Sequence, residues 1–246
     1  MKHKLIKSVL WKWQKSRNSP HKIVGGMATM PTRSKTAPTA IASALNNIDH
    51  LYLFLDKFDK VPSYAINDRI TILRSEDYGE IGANGKFLGL ALATNAQYYM
   101  CFDDDYLYPY DFSKRLVAEC RRYHNNSIIG IHGCILQQPF TSFLKDRIVF
   151  RAPLSLESGR RVDVLATLGL ILSLQALTFD VRRWQQINMV DLSFALEAKK
   201  KQLPLRIISR QTGWLQVLDK GQPDSIWKRV QMDDTAQSLL ARELLG

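Results

Sequence analysis

Between residues 23 and 132 one pattern repeats: a short apolar run, a polar or glycine-bearing loop, then a helical stretch. The runs Ile23–Ala28, Leu51–Leu55, Ile70–Leu73, Tyr98–Phe102 and Ile128–His132 are four to six residues long. They are largely apolar at consecutive positions, as expected of strands buried on both faces. Helices are expected over 35–47, where Ala40, Ile41, Ala44 and Leu45 share one face, and over 111–123. A third, of about ten residues, should follow the loop Gly79–Lys86, running through Leu88, Leu90, Ala91 and Ala93. This alternation implies a single α/β domain, with a mostly parallel central sheet flanked by helices.

Such sheets bind ligands outside the carboxyl ends of their strands. Thr29–Arg33, Asp56, Gly79–Lys86 and Asp103–Asp105 all fall at those ends or in loops returning to them. The three consecutive aspartates follow the aromatic run Tyr98–Phe102 directly. If the chain stays extended, Asp103 and Asp105 share a face and Asp104 points away. Paired carboxylates repel, and a hard cation such as Mg²⁺ or Mn²⁺ would resolve the conflict while bridging to phosphates. A solvated acidic turn before Tyr106-Leu107-Tyr108-Pro109 accounts for the triplet equally well.

Composition is that of an ordinary soluble chain of 246 residues, 46% hydrophobic and 23% charged, with a formal net charge of +11. Residues 1–22 carry Lys2, Lys4, Lys7, Lys12, Lys15, Arg17 and Lys22, and no acid. Leu5, Ile6, Val9, Leu10 and Trp13 form a helical stripe between them. Such a helix can pack on its own domain, rest on an anionic membrane or meet nucleic-acid phosphates. Charges interrupt every apolar stretch before Gly25, so it is not a secretory signal. Cys101, Cys120 and Cys134 lack metal-ligand spacing, and their odd number fits a reducing compartment.

The second half is less regular. Val164–Phe179 is apolar but broken by Thr167, Gly169, Ser173, Gln175 and Thr178, and reads as strand and turn, not as a membrane span. A helix is expected over 190–201 and a strand over 205–208. Lys199–Lys201 suit a helix end through the macrodipole alone. His132 reads as a satisfied interior histidine, with a metal or phosphate contact as the alternative. Trp214 suits either core packing or a sugar-stacking platform.

Taken in order, these segments resemble the bacterial family 2 glycosyltransferases with the glycosyltransferase-A fold, a Rossmann-like arrangement. The resemblance rests on Ala28–Arg33 after the first strand, Tyr52–Asp56, Gly82-Ala83-Asn84-Gly85-Lys86-Phe87, and Asp103–Asp105 with Tyr108-Pro109 beyond. Met189-Val190-Asp191-Leu192-Ser193-Phe194 resembles the family's acceptor-side aspartate motif. It spans roughly residues 23–218, with a nucleotide-sugar half over 23–134 and an acceptor half with a C-terminal helical segment over 135–246. One departure stands out: relatives have a glycine-rich turn near residue 165, where this chain reads Leu165-Ala166-Thr167-Leu168-Gly169-Leu170.

The resemblance implies metal-dependent, inverting transfer of a sugar from a nucleotide diphosphate sugar, such as a UDP-sugar, to a saccharide or lipid-linked acceptor. The setting would be cell-surface polysaccharide or lipopolysaccharide synthesis. Thr29, Pro31, Arg33 and Asp56 would hold the nucleotide's base and ribose, and Lys86 would lie near the diphosphate or base. Asp105 would hold Mn²⁺ or Mg²⁺, Asp103 would touch the ribose or the metal, and Asp104 would complete the nucleotide contacts. Asp191 would be the catalytic base, with its pKa lowered by the helix dipole, and Glu197 is the runner-up. Each has a plain alternative: Asp56 a turn residue, Lys86 a solvated lysine, Asp191 a helix cap. The implied location is cytoplasmic, with residues 1–22 available for peripheral contact at the inner membrane face and no specific nucleic-acid partner. A nucleotidyltransferase, a nonenzymatic nucleic-acid binder and a glycosyltransferase fold without turnover remain the competing readings.

Overall fold

The computed structural model describes residues 22–219, 221–222 and 224–246. The basic segment expected over 1–22 lies outside the described residues but for Lys22. The chain runs through β1 (Ile23–Thr29), α1 (Ala37–Leu45), β2 (His50–Leu55), β3 (Ile70–Arg74) and the single turn α2 (Ser75–Tyr78). Then come β4 (Tyr98–Phe102), β5 (Tyr106–Leu107), α3 (Phe112–Arg122), β6 (Ile128–Gly130), β7 (Gly133–Leu136) and β8 (Arg147–Phe150). The rest comprises β9 (Arg160–Val162), β10 (Val164–Leu165), β11 (Gly169–Ser173), α4 (Val190–Lys200), β12 (Leu205–Ile207), β13 (Gln216–Val217), α5 (Ile226–Met232) and α6 (Thr235–Leu245).

One eight-stranded sheet, in the order β3-β2-β1-β4-β11-β6-β12-β9, forms the centre. Neighbours β3, β2, β1 and β4 pair in parallel, as do β6 and β12. Strands β11 and β9 run antiparallel to theirs. The apolar runs fit this architecture because the inner strands have no solvent face: every residue of β4 is 0% exposed, so a polar side chain there would be desolvated without compensation. Helix α1 puts Ala40, Ile41 and Ala44 against the sheet, and its buried Ser43 accepts from Tyr108 N through Oγ. All three cysteines are free and buried.

Three local expectations are corrected. The stretch after Gly79–Lys86 forms a 3-10 helix, Gly82–Ala91, and not an α-helix. It lies so close to the sheet that a Cβ at Gly26 would sit 1.8 Å from the Lys86 carbonyl oxygen, and one at Gly85 2.1 Å from the Phe54 ring. Glycines on both sides permit the contact, and their poor helix propensity works against α geometry. The strand expected to reach His132 stops at Gly130, where the chain turns into a separate three-stranded sheet, β10-β7-β8. Finally, Phe102 ends the extended run and the aspartates enter a turn, so strand alternation no longer governs them. Among the described residues no helix is long and apolar enough to cross a membrane.

Candidate functional site

A cleft of about 1160 Å³ opens at the carboxyl ends of β1, β2 and β4. It is walled by the loop after β1, the aspartate turn, the three-stranded sheet, the start of α4 and the segment from Asp219 into α5. Of the expected residues it brings together Thr29, Arg33, Asp56, Lys86, Asp103, Asp104, Asp105 and Asp191. Pro31 is exposed and does not reach the wall. Because the aspartates turn, all three line the cleft, Asp104 included.

The three aspartates are not equivalent. Asp103 Oδ1 pairs with Lys86, whose side chain is buried and not the solvated lysine of the plain reading. Burial by itself would depress the Lys86 ammonium, but Asp103 facing it outweighs that and the net direction is up. Asp103 N donates to Tyr108 Oη at 2.7 Å, and that hydroxyl donates to the Leu168 carbonyl at 2.5 Å, fixing the turn against the segment before β11. Asp104 is 9% exposed, and burial pushes its carboxyl up to about 6. Asp105 is raised furthest, to about 7, by burial first and then by Asp103 and Asp104. Its Oδ1 is buried without a hydrogen-bond partner, whereas its carbonyl accepts from Leu218 N at 2.8 Å. A carboxylate oxygen kept dry, unpaired and beside two other acids fits a hard cation. Among the described residues no three His, Cys, Asp or Glu side chains are grouped to hold a metal by themselves. Mg²⁺ is commonly held by only one or two carboxylates, with water and phosphate completing its sphere.

Asp56 directly follows β2, is 5% exposed and is raised by burial, and its Oδ1 also lacks a partner. An acceptor without a donor on a cleft wall is suited to a ligand hydroxyl. Arg33 is turned toward the other wall, where it pairs with Asp224 at 2.5 Å, and Thr32 donates to the same carboxylate at 2.6 Å.

Asp191 sits in the first turn of α4, which is fastened to the Lys86 segment from below. Asn188 Oδ1 accepts from Ala83 N at 2.9 Å, and Asn84 donates to the Gln186 carbonyl at 2.8 Å. Thr167, 1% exposed, donates to Asp191 Oδ1 through both N and Oγ1, each at 2.8 Å, and Lys86 Nζ reaches the same hydroxyl at 3.3 Å. Asp191 Oδ2 makes no hydrogen bond among the described residues. The expected depression of this pKa is reversed: burial raises it, outweighing the Thr167 hydrogen bonds and Lys86. Thr167 lies in the segment 165–170, just before and at the start of β11.

Glu197 accepts from Trp184 Nε1 and Lys200 Nζ on a separate groove and does not line the cleft. Trp214 donates to Asp111 and packs on Phe112, with Arg115 4.1 Å above its ring; it belongs to the α3 face and offers no platform in the cleft. Trp227 and Arg147, which sequence reasoning missed, do line it. His132 is not satisfied, because its buried Nδ1 has no partner.

No protein-family model and no curated protein matches this chain. Its shape does match a solved structure, that of GalNAc-T7 with UDP, GalNAc and Mn²⁺, at a TM-score of 0.53 and 11% identity. The fold is the glycosyltransferase-A fold. The match covers 79% of this chain and 44% of GalNAc-T7, so this chain spans under half of that solved protein. The GT-A fold accounts for the parallel β1–β4 block and for a cleft at its carboxyl ends.

Proposed function

We propose that this chain is a metal-dependent glycosyltransferase that moves a sugar from a nucleotide diphosphate sugar, with uridine as the base, to a saccharide or lipid-linked acceptor. The observation that carries the reading is the unpartnered, buried Oδ1 of Asp105, in one cleft with an Asp191 whose orientation is set by Thr167. GalNAc-T7, which shares the fold, was solved with UDP and Mn²⁺. Asp105, with Asp103 beside it, would hold Mn²⁺ or Mg²⁺, which when bound supplies positive charge against the leaving diphosphate. Thr29 and Asp56 would receive the nucleoside, and Lys86 adds a fixed ammonium near the diphosphate. Asp191 Oδ2 takes the acceptor hydroxyl's proton as that oxygen attacks the anomeric carbon. The bond to the diphosphate oxygen breaks, its electron pair leaves with the diphosphate, and the anomeric centre inverts. Burial suits Asp191 to this task, since a raised pKa makes a carboxylate a better base. Membership of the bacterial family 2 enzymes, a role in surface polysaccharide or lipopolysaccharide synthesis, and a cytoplasmic place with peripheral membrane contact belong to the same proposal, on motif order and the basic N-terminus.

Calorimetric titration with UDP tests it. Binding should require Mn²⁺ or Mg²⁺ and weaken about tenfold or more on adding EDTA or in Asp105→Ala. Asp191→Asn should keep that binding and lose about 10²–10⁴-fold in transfer. UDP binding indifferent to metal would overturn the reading.

A further inference from the structure

The cleft has a basic wall that the donor chemistry above does not use. Arg147 and Arg151, at and just after β8, and Arg229 of α5 all line it. Among the described residues none of the three forms an ion pair, whereas Arg33, Arg74, Arg122 and Arg182 each have a carboxylate. Of the cleft's acids, Asp103 is engaged with Lys86, Asp224 with Arg33, and Asp191 with Thr167.

Two further observations point to a ligand. Arg147 is held in place by aromatic faces, its Cζ 4.1 Å from the Phe143 ring centroid and 5.5 Å from that of Trp227, yet its Nε is buried without a partner. Just before β7, His132 has a buried Nδ1 that is also unpartnered. Burial and then the positive charges of Arg210, Arg147 and Arg151 hold His132 neutral, with a pKa down to about 4. A buried guanidinium nitrogen with neither a hydrogen-bond partner nor a paired carboxylate, as at Arg147, is costly unless an anion meets it. A cavity of 1160 Å³ also has room for more than one small ligand.

We infer that the acceptor sugar carries an anionic group, a phosphate or a carboxylate, which Arg147, Arg151 and His132 receive on the wall formed by the three-stranded sheet. This rests on the donor assignment above, because it takes the donor's diphosphate to be held at Asp105 and Lys86. Guanidinium groups suit the role, since their planar forks match both oxyanions.

The test uses the full chain loaded with UDP and Mn²⁺, titrated with inorganic phosphate, glucuronate and glucose. Phosphate or glucuronate should bind at least about tenfold more tightly than glucose, and high salt should shrink the advantage. The tighter of the two identifies the group. Arg147→Met and Arg151→Gln should each remove the advantage while leaving UDP affinity within about twofold. Arg151 is exposed, so its variant remains informative if Arg147→Met does not fold. Equal binding of all three probes overturns the inference, as does an advantage that survives both substitutions. So does a matching loss of UDP affinity, which would assign the arginines to the donor. Failure of UDP to bind at all is a separate result and removes the donor assignment itself.

Discussion

Thr167 is the residue through which Asp191 and the acidic turn are joined. Its hydroxyl donates to Asp191 and accepts from Lys86, which in turn pairs with Asp103. Asp191 and the acidic turn are thereby set by one side chain. Thr167→Val keeps the shape and the backbone donor but deletes the hydroxyl. The expected outcome is a fall in kcat of about tenfold with little change in UDP affinity, since a hydrogen bond to a charged group is lost. The pH profile adds a sign. With Asp191 as the proposed base, activity should fall as pH drops through that residue's raised pKa. Losing a hydrogen bond that favours the carboxylate raises the pKa further, and the acid limb in Thr167→Val should move to higher pH. An unmoved limb would separate Thr167 from the base. The sequence marks Asp191, Lys86 and the aspartates because charged residues at strand and helix ends stand out locally. It could not mark Thr167, Arg147 or Trp227, whose roles arise only where segments from different parts of the chain converge.

At the scale of elements, β1 is the tightest joint. Gly26→Ala puts a Cβ against the Lys86 carbonyl and 2.1 Å from the Tyr99 hydroxyl, neither the end of a long flexible side chain. Denaturant unfolding should register a loss of about 3 kcal/mol. A second prediction concerns β2 and β3. His50 Nε2 lies 2.8 Å from Thr71 Oγ1, and burial, then Lys22 and Arg69, lower its pKa to about 4. The unfolded chain takes up this proton near 6.5 and the folded one only near 4. Its contribution is therefore intact above 6.5 and is lost as pH falls toward 4, up to about 3 kcal/mol in all. His50→Gln should flatten that part of the stability profile. Elements defined by their own periodicity, such as β1, β2, β4, α3 and α4, were readable in advance. The sheet β10-β7-β8 was not: its strands are only two to four residues long, β8 is partly exposed, and β10 reaches far back along the chain to pair with β7.

Across the whole molecule, the sheet does not respect the division at residue 134. Strand β11, from the second half, pairs with β4 on one side and β6 on the other. Cut from the rest, residues 22–134 would leave β4 an unpaired apolar edge, which invites association. That fragment should show no cooperative unfolding and little near-ultraviolet circular dichroism, while the full chain unfolds in one transition. A folded, monomeric fragment would contradict this. The local pattern revealed the β1–β4 block because each of its strands is followed by a helix or loop in the α/β rhythm. The reversed strands β9 and β11 follow no such rhythm, and only long-range pairing assigns them.

The acidic turn also has a mechanical neighbour. Leu218 N binds the Asp105 carbonyl, and β13 pairs with β5 immediately after the aspartates. Whatever stiffens that turn must steady the following stretch to the same degree, and whatever grips the stretch must sharpen the turn, because coupling free energies are symmetric. Residues 216–218 thus act as a counterweight to the aspartate turn.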